Sequence, residues 1–176
     1  MDVKKALEKS KGDESKALDI IRASGRSKAV KKAGRETREG ALGIYIHSTG
    51  KLGSMVKLFC ETDFVAKNEE FQRLAKDIAM HISAMDPQFL KPEDIPQSLI
   101  KKEREIWSAQ FKKEKKPDKI LKKILEEKEK KFRSEISLLS QPFIKDPEKT
   151  ISDLVNEKIG KIGENIQVGE FVRYEL

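Results

Sequence analysis

The chain is poor in the residues that carry chemistry: one cysteine, two histidines, one tryptophan and two tyrosines among 176 residues. A single cysteine excludes an internal disulfide, and Cys60, His47 and His81 are too few and too scattered for the paired spacing of a zinc site. No G-x-x-x-x-G-K-[ST] run exists, because Gly50-Lys51 is preceded five positions earlier by Tyr45 and followed by Leu52, so nothing cradles a nucleotide phosphate. Cys60 stands beside Glu61, whose charge would raise its pKa, and reads as a small apolar filler, not a nucleophile. No apolar run approaches the roughly 18 residues that cross a bilayer, and charges from Asp2 onward replace the apolar core of a signal peptide. The expectation is a soluble intracellular protein that is not an enzyme and needs no cofactor or metal.

Charge is what the chain has in quantity. Charged residues make up 38% and apolar residues 37%, with a net charge of +7. The basic excess lies in residues 1–39, with 12 basic against 7 acidic, and in 91–133, with 15 against 9. Because the signs alternate closely in both regions, salt-bridged exposed helices are favoured over a nucleic-acid face.

Periodicity orders the rest. Val3, Ala6 and Leu7 share a helical face, Gly12-Asp13 makes a turn, and a second helix carrying Ala17, Leu18, Ile20 and Ile21 is expected to end near Ser24-Gly25. Residues 26–39 read as an exposed connecting helix ending at Gly40. From there the period becomes two: Leu42, Ile44 and Ile46, then Met55-Val56 and Leu58-Phe59 beyond Ser48-Thr49-Gly50-Lys51, predict a β-hairpin. The clearest helix covers 68–84, its Phe71, Leu74, Ala75, Ile78, Ala79 and Ile82 facing the hairpin's apolar side. Pro87, Pro92 and Pro96 mark an extended connection to two helices at 97–114 and 118–133, an antiparallel hairpin turning at 115–118. Pro142 and Pro147 punctuate a loop, Thr150 caps a short helix, and Ile166 to Val172 form a last strand that completes the sheet. The fold class is α+β: a small antiparallel sheet layered with helices on one face, plus a projecting helical hairpin.

Between hairpin and long helix lies Glu61-Thr62-Asp63-Phe64-Val65-Ala66-Lys67-Asn68-Glu69-Glu70-Phe71, a strand-to-helix corner. Asn68 suits an N-cap, Glu69 and Glu70 suit the first turn, and Thr62 or Asp63 suits the cap of the short turn before it. Phe64 has two readings, tucked beneath its own helix or pointing outward as an anchor for a partner.

Cys60-Glu61-Thr62-Asp63-Phe64-Val65-Ala66-Lys67-Asn68-Glu69-Glu70-Phe71 resembles the signature of translation elongation factor Ts. Met1-Asp2-Val3-Lys4-Lys5-Ala6-Leu7, Lys31-Lys32-Ala33-Gly34-Arg35, Ile78-Ala79-Met80-His81-Ile82, Gln141-Pro142-Phe143 and Phe171-Val172-Arg173-Tyr174-Glu175 resemble further family segments in the family's order. The resemblance implies a partial ubiquitin-associated-like helical unit over 1–25, a connector over 26–39, and a core dimerisation-type domain over 40–176 carrying the hairpin 97–133. It implies a guanine-nucleotide exchange factor that binds elongation factor Tu and promotes GDP release, working in the cytoplasm of a bacterium or in a bacterial-type organelle, and assembled as a homodimer through the core sheet. By the same resemblance, partner contacts are assigned to Thr62, Asp63, Phe64 and Val65 at the corner, Leu52 and Gly53 at the hairpin tip, His81 in the long helix, Lys4 in the first helix and Lys32 in the connector. The alternative is a basic, ribosome-associated RNA-binding protein using the helical hairpin.

Overall fold

A computed structural model describes residues 2–111 and 118–176. The expected turn at 115–118 falls almost wholly outside them. The chain divides into two compact units, one comprising residues up to 85 together with 142–176, the other 86–141.

In the first unit, β1 (Glu39–Ile46), β2 (Leu52–Cys60) and β5 (Ile166–Glu175) form an antiparallel sheet in the order β1-β2-β5, as the alternation predicts. Gly50, at φ 67°, turns the hairpin, and a register shift between Val56 and Leu58 bulges the β2–β5 ladder. Helix α4 (Glu69–Met85) covers one face. It starts where expected: Asn68 Oδ1 accepts from Glu70 N at 2.8 Å, and Glu69 and Glu70 occupy the positive end of the helix dipole. Phe71, Leu74, Ala75, Ile78, Ala79 and Ile82 are all buried, against Val56, Leu58 and Cys60 of β2. The few polar groups in this core are paired, Ser83 Oγ with Ser54 Oγ at 2.9 Å and Arg173 Nε with Ser83 O at 3.0 Å.

One expectation about this layer is corrected. Leu42, Ile44 and Ile46 do not pack on α4; they are exposed on the opposite face, with Met55 and Val172 beside them. Gly43 faces the helix instead, so close that a β-carbon there would lie 2.1 Å from the Ala75 carbonyl oxygen.

The N-terminal helices are α1 (Asp2–Lys9) and α2 (Glu14–Lys32). Asp13 caps α2 by accepting from Lys16 N at 3.0 Å. Contrary to the expected stop at Ser24-Gly25, α2 runs on to Lys32, and no separate helix fills 26–39. Gly25 sits where α2 crosses α7 (Ile151–Ile162), opposite Gly160, whose β-carbon would lie 3.5 Å from Gly25 Cα. Tertiary packing there outweighs the roughly 1 kcal/mol that a mid-helix glycine costs. Asp153 ties the crossing by an ion pair to Arg26 at 2.7 Å and forms a capping box with Thr150, the cap read from sequence. The stretch around Pro142 and Pro147 is a small ladder, β3 (Pro142–Phe143) with β4 (Asp146–Thr150), not a loop.

The second unit pairs α5 (Gln97–Phe111) with α6 (Asp118–Glu135). Trp107 meets Phe132 edge-on at 5.6 Å, Ile100 is buried, and Ile106 and Ile120 are exposed. Glu129 binds both Arg104 and Arg133 at 2.9 Å, and Arg133 donates to the Pro92 carbonyl at 3.0 Å. The prolines before α5 enclose a 3-10 turn over Pro92–Asp94 in place of a fully extended connection.

Candidate partner-docking site

The corner after β2 is a single turn, α3 (Asp63–Ala66), between two caps. Thr62 is extended and its Oγ1 accepts from Val65 N at 3.4 Å, so of the two candidate caps Thr62 acts. Lys67 N and Asn68 N close the turn on the Asp63 and Val65 carbonyls, and Gln72 Nε2 donates to Ala66 O at 2.6 Å. Ala66 is buried and Val65 half-buried, which pins one side of the turn to the core.

The other side is held from a distant part of the chain. Gly163, at φ 91°, ends α7 and delivers Glu164 to the corner. The Glu164 carboxylate accepts from Glu61 N and Thr62 N, each at 3.1 Å, and from Thr62 Oγ1 at 2.7 Å. Glu61 returns the arrangement, accepting from Asn165 N at 2.6 Å and pairing with Arg35 at 3.4 Å, while Asn165 Nδ2 donates to the Arg35 carbonyl at 2.8 Å. Glu61, Glu164, Asn165 and Arg35 escaped the sequence reading. The only signal was a helix-ending Gly163 followed by polar residues, which says that a helix stops but not what the next carboxylate reaches.

On this support Phe64 is 81% exposed, which decides between its two readings: the ring points outward. A benzyl side chain in water is disfavoured by about 1.5–3 kcal/mol relative to burial in an apolar pocket. Asp63 lies beside it and accepts from Lys67 Nζ at 2.8 Å; that hydrogen bond holds the carboxyl below its ordinary value and raises the lysine. Asp63 thus stays anionic, an acceptor half-open to solvent.

Cys60, beneath the corner, is fully buried and donates from Sγ to the Thr62 carbonyl at 3.2 Å. Its thiol is pushed up to about 11, first by burial and then by Glu164 and Glu39. The filler reading stands, but the charge beside it comes from Glu164, not from the adjacent Glu61.

The other predicted contacts are dispersed. Leu52 and Gly53 open β2 at the hairpin end, half-buried, with Leu52 opposite Glu175 and Gly53 between Ile46 and Tyr174. Lys4 is exposed on α1, 4.0 Å from Glu8. Lys32, in the last turn of α2, donates from Nζ to the Gly163 carbonyl, on the same αL turn that delivers Glu164. His81 is the correction: it has no solvent exposure, its Nδ1 accepts from Ile144 N at 3.3 Å, and its ring lies 6.1 Å from that of Phe143. It braces the short ladder from inside and offers no surface to a partner.

What is built here is an exposed aromatic side chain on a braced turn. The sequence comparisons give the family. The family model described as Elongation factor TS matches residues 6–176. Elongation factor Ts of Thermodesulfovibrio yellowstonii is 55% identical over all 176 residues, which cover 87% of that protein. Those of Carboxydothermus hydrogenoformans and Maridesulfovibrio salexigens are 51% and 52% identical over the whole chain, covering 81% and 85% of theirs. The chain belongs to the elongation factor Ts family, the translation elongation factors that serve protein biosynthesis. Among the described residues no helix is long and apolar enough to cross a membrane.

Proposed function

We propose that this protein is the guanine-nucleotide exchange factor of elongation factor Tu, acting in the bacterial cytoplasm. The observation that carries the reading is Phe64, a large apolar ring held in water by a turn that spends at least six hydrogen bonds on staying rigid. A P-loop GTPase holds GDP through a magnesium ion shared by phosphate and protein oxygens. A rigid wedge that prefers the conformation with that site distorted weakens nucleotide binding, and by reciprocity bound nucleotide weakens the wedge. Phe64 is the wedge, Asp63 the acceptor for a displaced donor, and Thr62 and Val65 the fixed flanks. No bond is made or broken, so the protein is not an enzyme in the usual sense. Lys4, Lys32, Leu52 and Gly53 would add peripheral contacts, and His81 acts only through the Phe143-Ile144 segment it supports.

The same reading makes the protein a homodimer. Leu42, Ile44, Met55 and Val172 form an apolar, exposed sheet face of the kind that pairs with a second copy. Residues 1–25 then act as a ubiquitin-associated-like helical unit, continuous with the 26–39 connector through α2, and 40–176 as the dimerising core with the hairpin 97–133.

Release of fluorescent GDP from purified elongation factor Tu tests the reading. Phe64→Ala should lose most of the acceleration with an unchanged circular dichroism spectrum and Tm; equal acceleration by the variant removes Phe64 from the mechanism. Light scattering at micromolar concentration should give about twice the 20.1 kDa chain mass, and particles of single-chain mass alone would remove the dimer.

A further inference from the structure

The two edges of the sheet are built differently. At the β5 edge the ladder is bulged between Val56 and Leu58, and Glu170, Arg173 and Glu175 interrupt the strand, the usual protections against added strands. At the β1 edge, Gly40 to Ile46 contains no charge and no proline, and among the described residues β1 is paired on one side only. His47 N donates to Leu52 O at 2.8 Å, which makes that pair a hydrogen-bonded one. With the register Tyr45↔Ser54 and Gly43↔Val56, the odd-numbered residues turn their amides toward β2. Leu42 and Ile44 therefore aim N–H and C=O outward.

Alongside this edge runs a groove of about 410 Å³ between Leu42, Gly43 and Ile44 on one side and Gln72, Arg73 and Lys76 of α4 on the other. The near-contact of Gly43 with the Ala75 carbonyl brings the strand onto the helix backbone, so the exposed Arg73 and Lys76 stand at the edge itself. No ion pair engages either of them among the described residues.

We infer that the β1 edge is a strand-addition site for an extended acidic segment of another protein, with acidic side chains alternating with apolar ones. An added strand alternates its side chains between the two faces of the sheet. Those on the helix side meet Arg73 and Lys76 and are anionic; those on the open side continue the apolar row of Leu42 and Ile44. A second copy of this chain paired edge to edge would bring two such cation pairs together, so charge favours the acidic segment. The outward amides of the β1 edge are distinct from the sheet face proposed for dimerisation, with Leu42 and Ile44 bordering both, and the proposal does not depend on nucleotide exchange.

The probe is a fluorescein-labelled octapeptide alternating valine and glutamate, read by anisotropy at low salt, with a valine–lysine octapeptide as control. Saturable binding of the acidic peptide alone is expected, at least tenfold weaker for Arg73→Glu/Lys76→Glu, and lost for Leu42→Pro, which removes an outward amide that β2 does not use. If Leu42→Pro fails to fold, hydrogen exchange decides: the Leu42 and Ile44 amides of the unaltered chain should gain protection when peptide is added. No saturable binding, equal binding of the lysine peptide, unchanged binding in the charge-reversed variant, or no gain of amide protection would each overturn the proposal.

Discussion

The two strands of the hairpin carry their apolar residues on opposite faces of the sheet. On β1 the apolar residues Leu42, Ile44 and Ile46 look into solvent, while glycine, at Gly43, looks into the core. β2 has the conventional pattern, with Val56, Leu58 and Cys60 inward. The difference teaches that β1 is positioned by closeness of backbone to α4, whereas β2 is positioned by side-chain packing. Apolar residues freed from the core on β1 are available for contacts between molecules.

Substitutions on the covered face should break the fold and those on the open face should not. Phe71→Ala, which empties the largest fully buried side chain under the sheet, should cost about 3–5 kcal/mol in urea unfolding. Gly43→Ala should cost about 3 kcal/mol, the upper end for overpacking, because a carbonyl oxygen stands where its methyl would go; a loss under about 0.5 kcal/mol would show that β1 is not held by that approach. Glu164→Ala, which leaves two corner amides and a hydroxyl without their acceptor, should cost about 1–3 kcal/mol and speed amide exchange at Glu61 and Thr62. Ile44→Ser on the open face should change stability by no more than about 0.5 kcal/mol, while dissociating the proposed dimer in light scattering.

The α2–α7 crossing supplies a pH test. Burial tends to raise Asp153, but Arg26, the Thr150 hydroxyl and the Thr150 amide outweigh it, and the carboxyl ends below its ordinary value of 3.8. A carboxyl lowered by folding stabilises the protein above its unfolded pKa, and that contribution disappears as pH falls through the folded value. Melting temperature against pH from 5 down to 2 should therefore fall more steeply for the unaltered chain than for Asp153→Asn, and parallel curves would remove Asp153 from the acid transition.

Much of the fold was legible because local rules and packing agreed. Asn68, Thr62 and Thr150 cap where their hydroxyl or amide oxygens allow, and the α4 stripe is buried residue for residue. The misreadings arose where a glycine serves close approach. Gly25 looks like a helix end and is a crossing point; Gly43 looks like a polar-side position and is the core side. At the candidate site Phe64 was singled out, yet its direction depended on a clamp more than 100 residues away, and no local pattern encodes such a partner. His81 failed for the opposite reason: its helical position on the α4 stripe fitted a buried ring, which is what the fold makes of it.

The Glu164 clamp also sets an order of events during synthesis. The ribosome delivers Phe64 well before Glu164, so for some 100 residues of elongation the aromatic sits on a turn lacking its brace. Chains emerge at about 5–20 residues per second, which leaves the aromatic without that brace for several seconds. On the proposed docking role, a nascent chain presents Phe64 on a fixed turn only once Glu164, just beyond the helix end at Gly163, has left the exit tunnel.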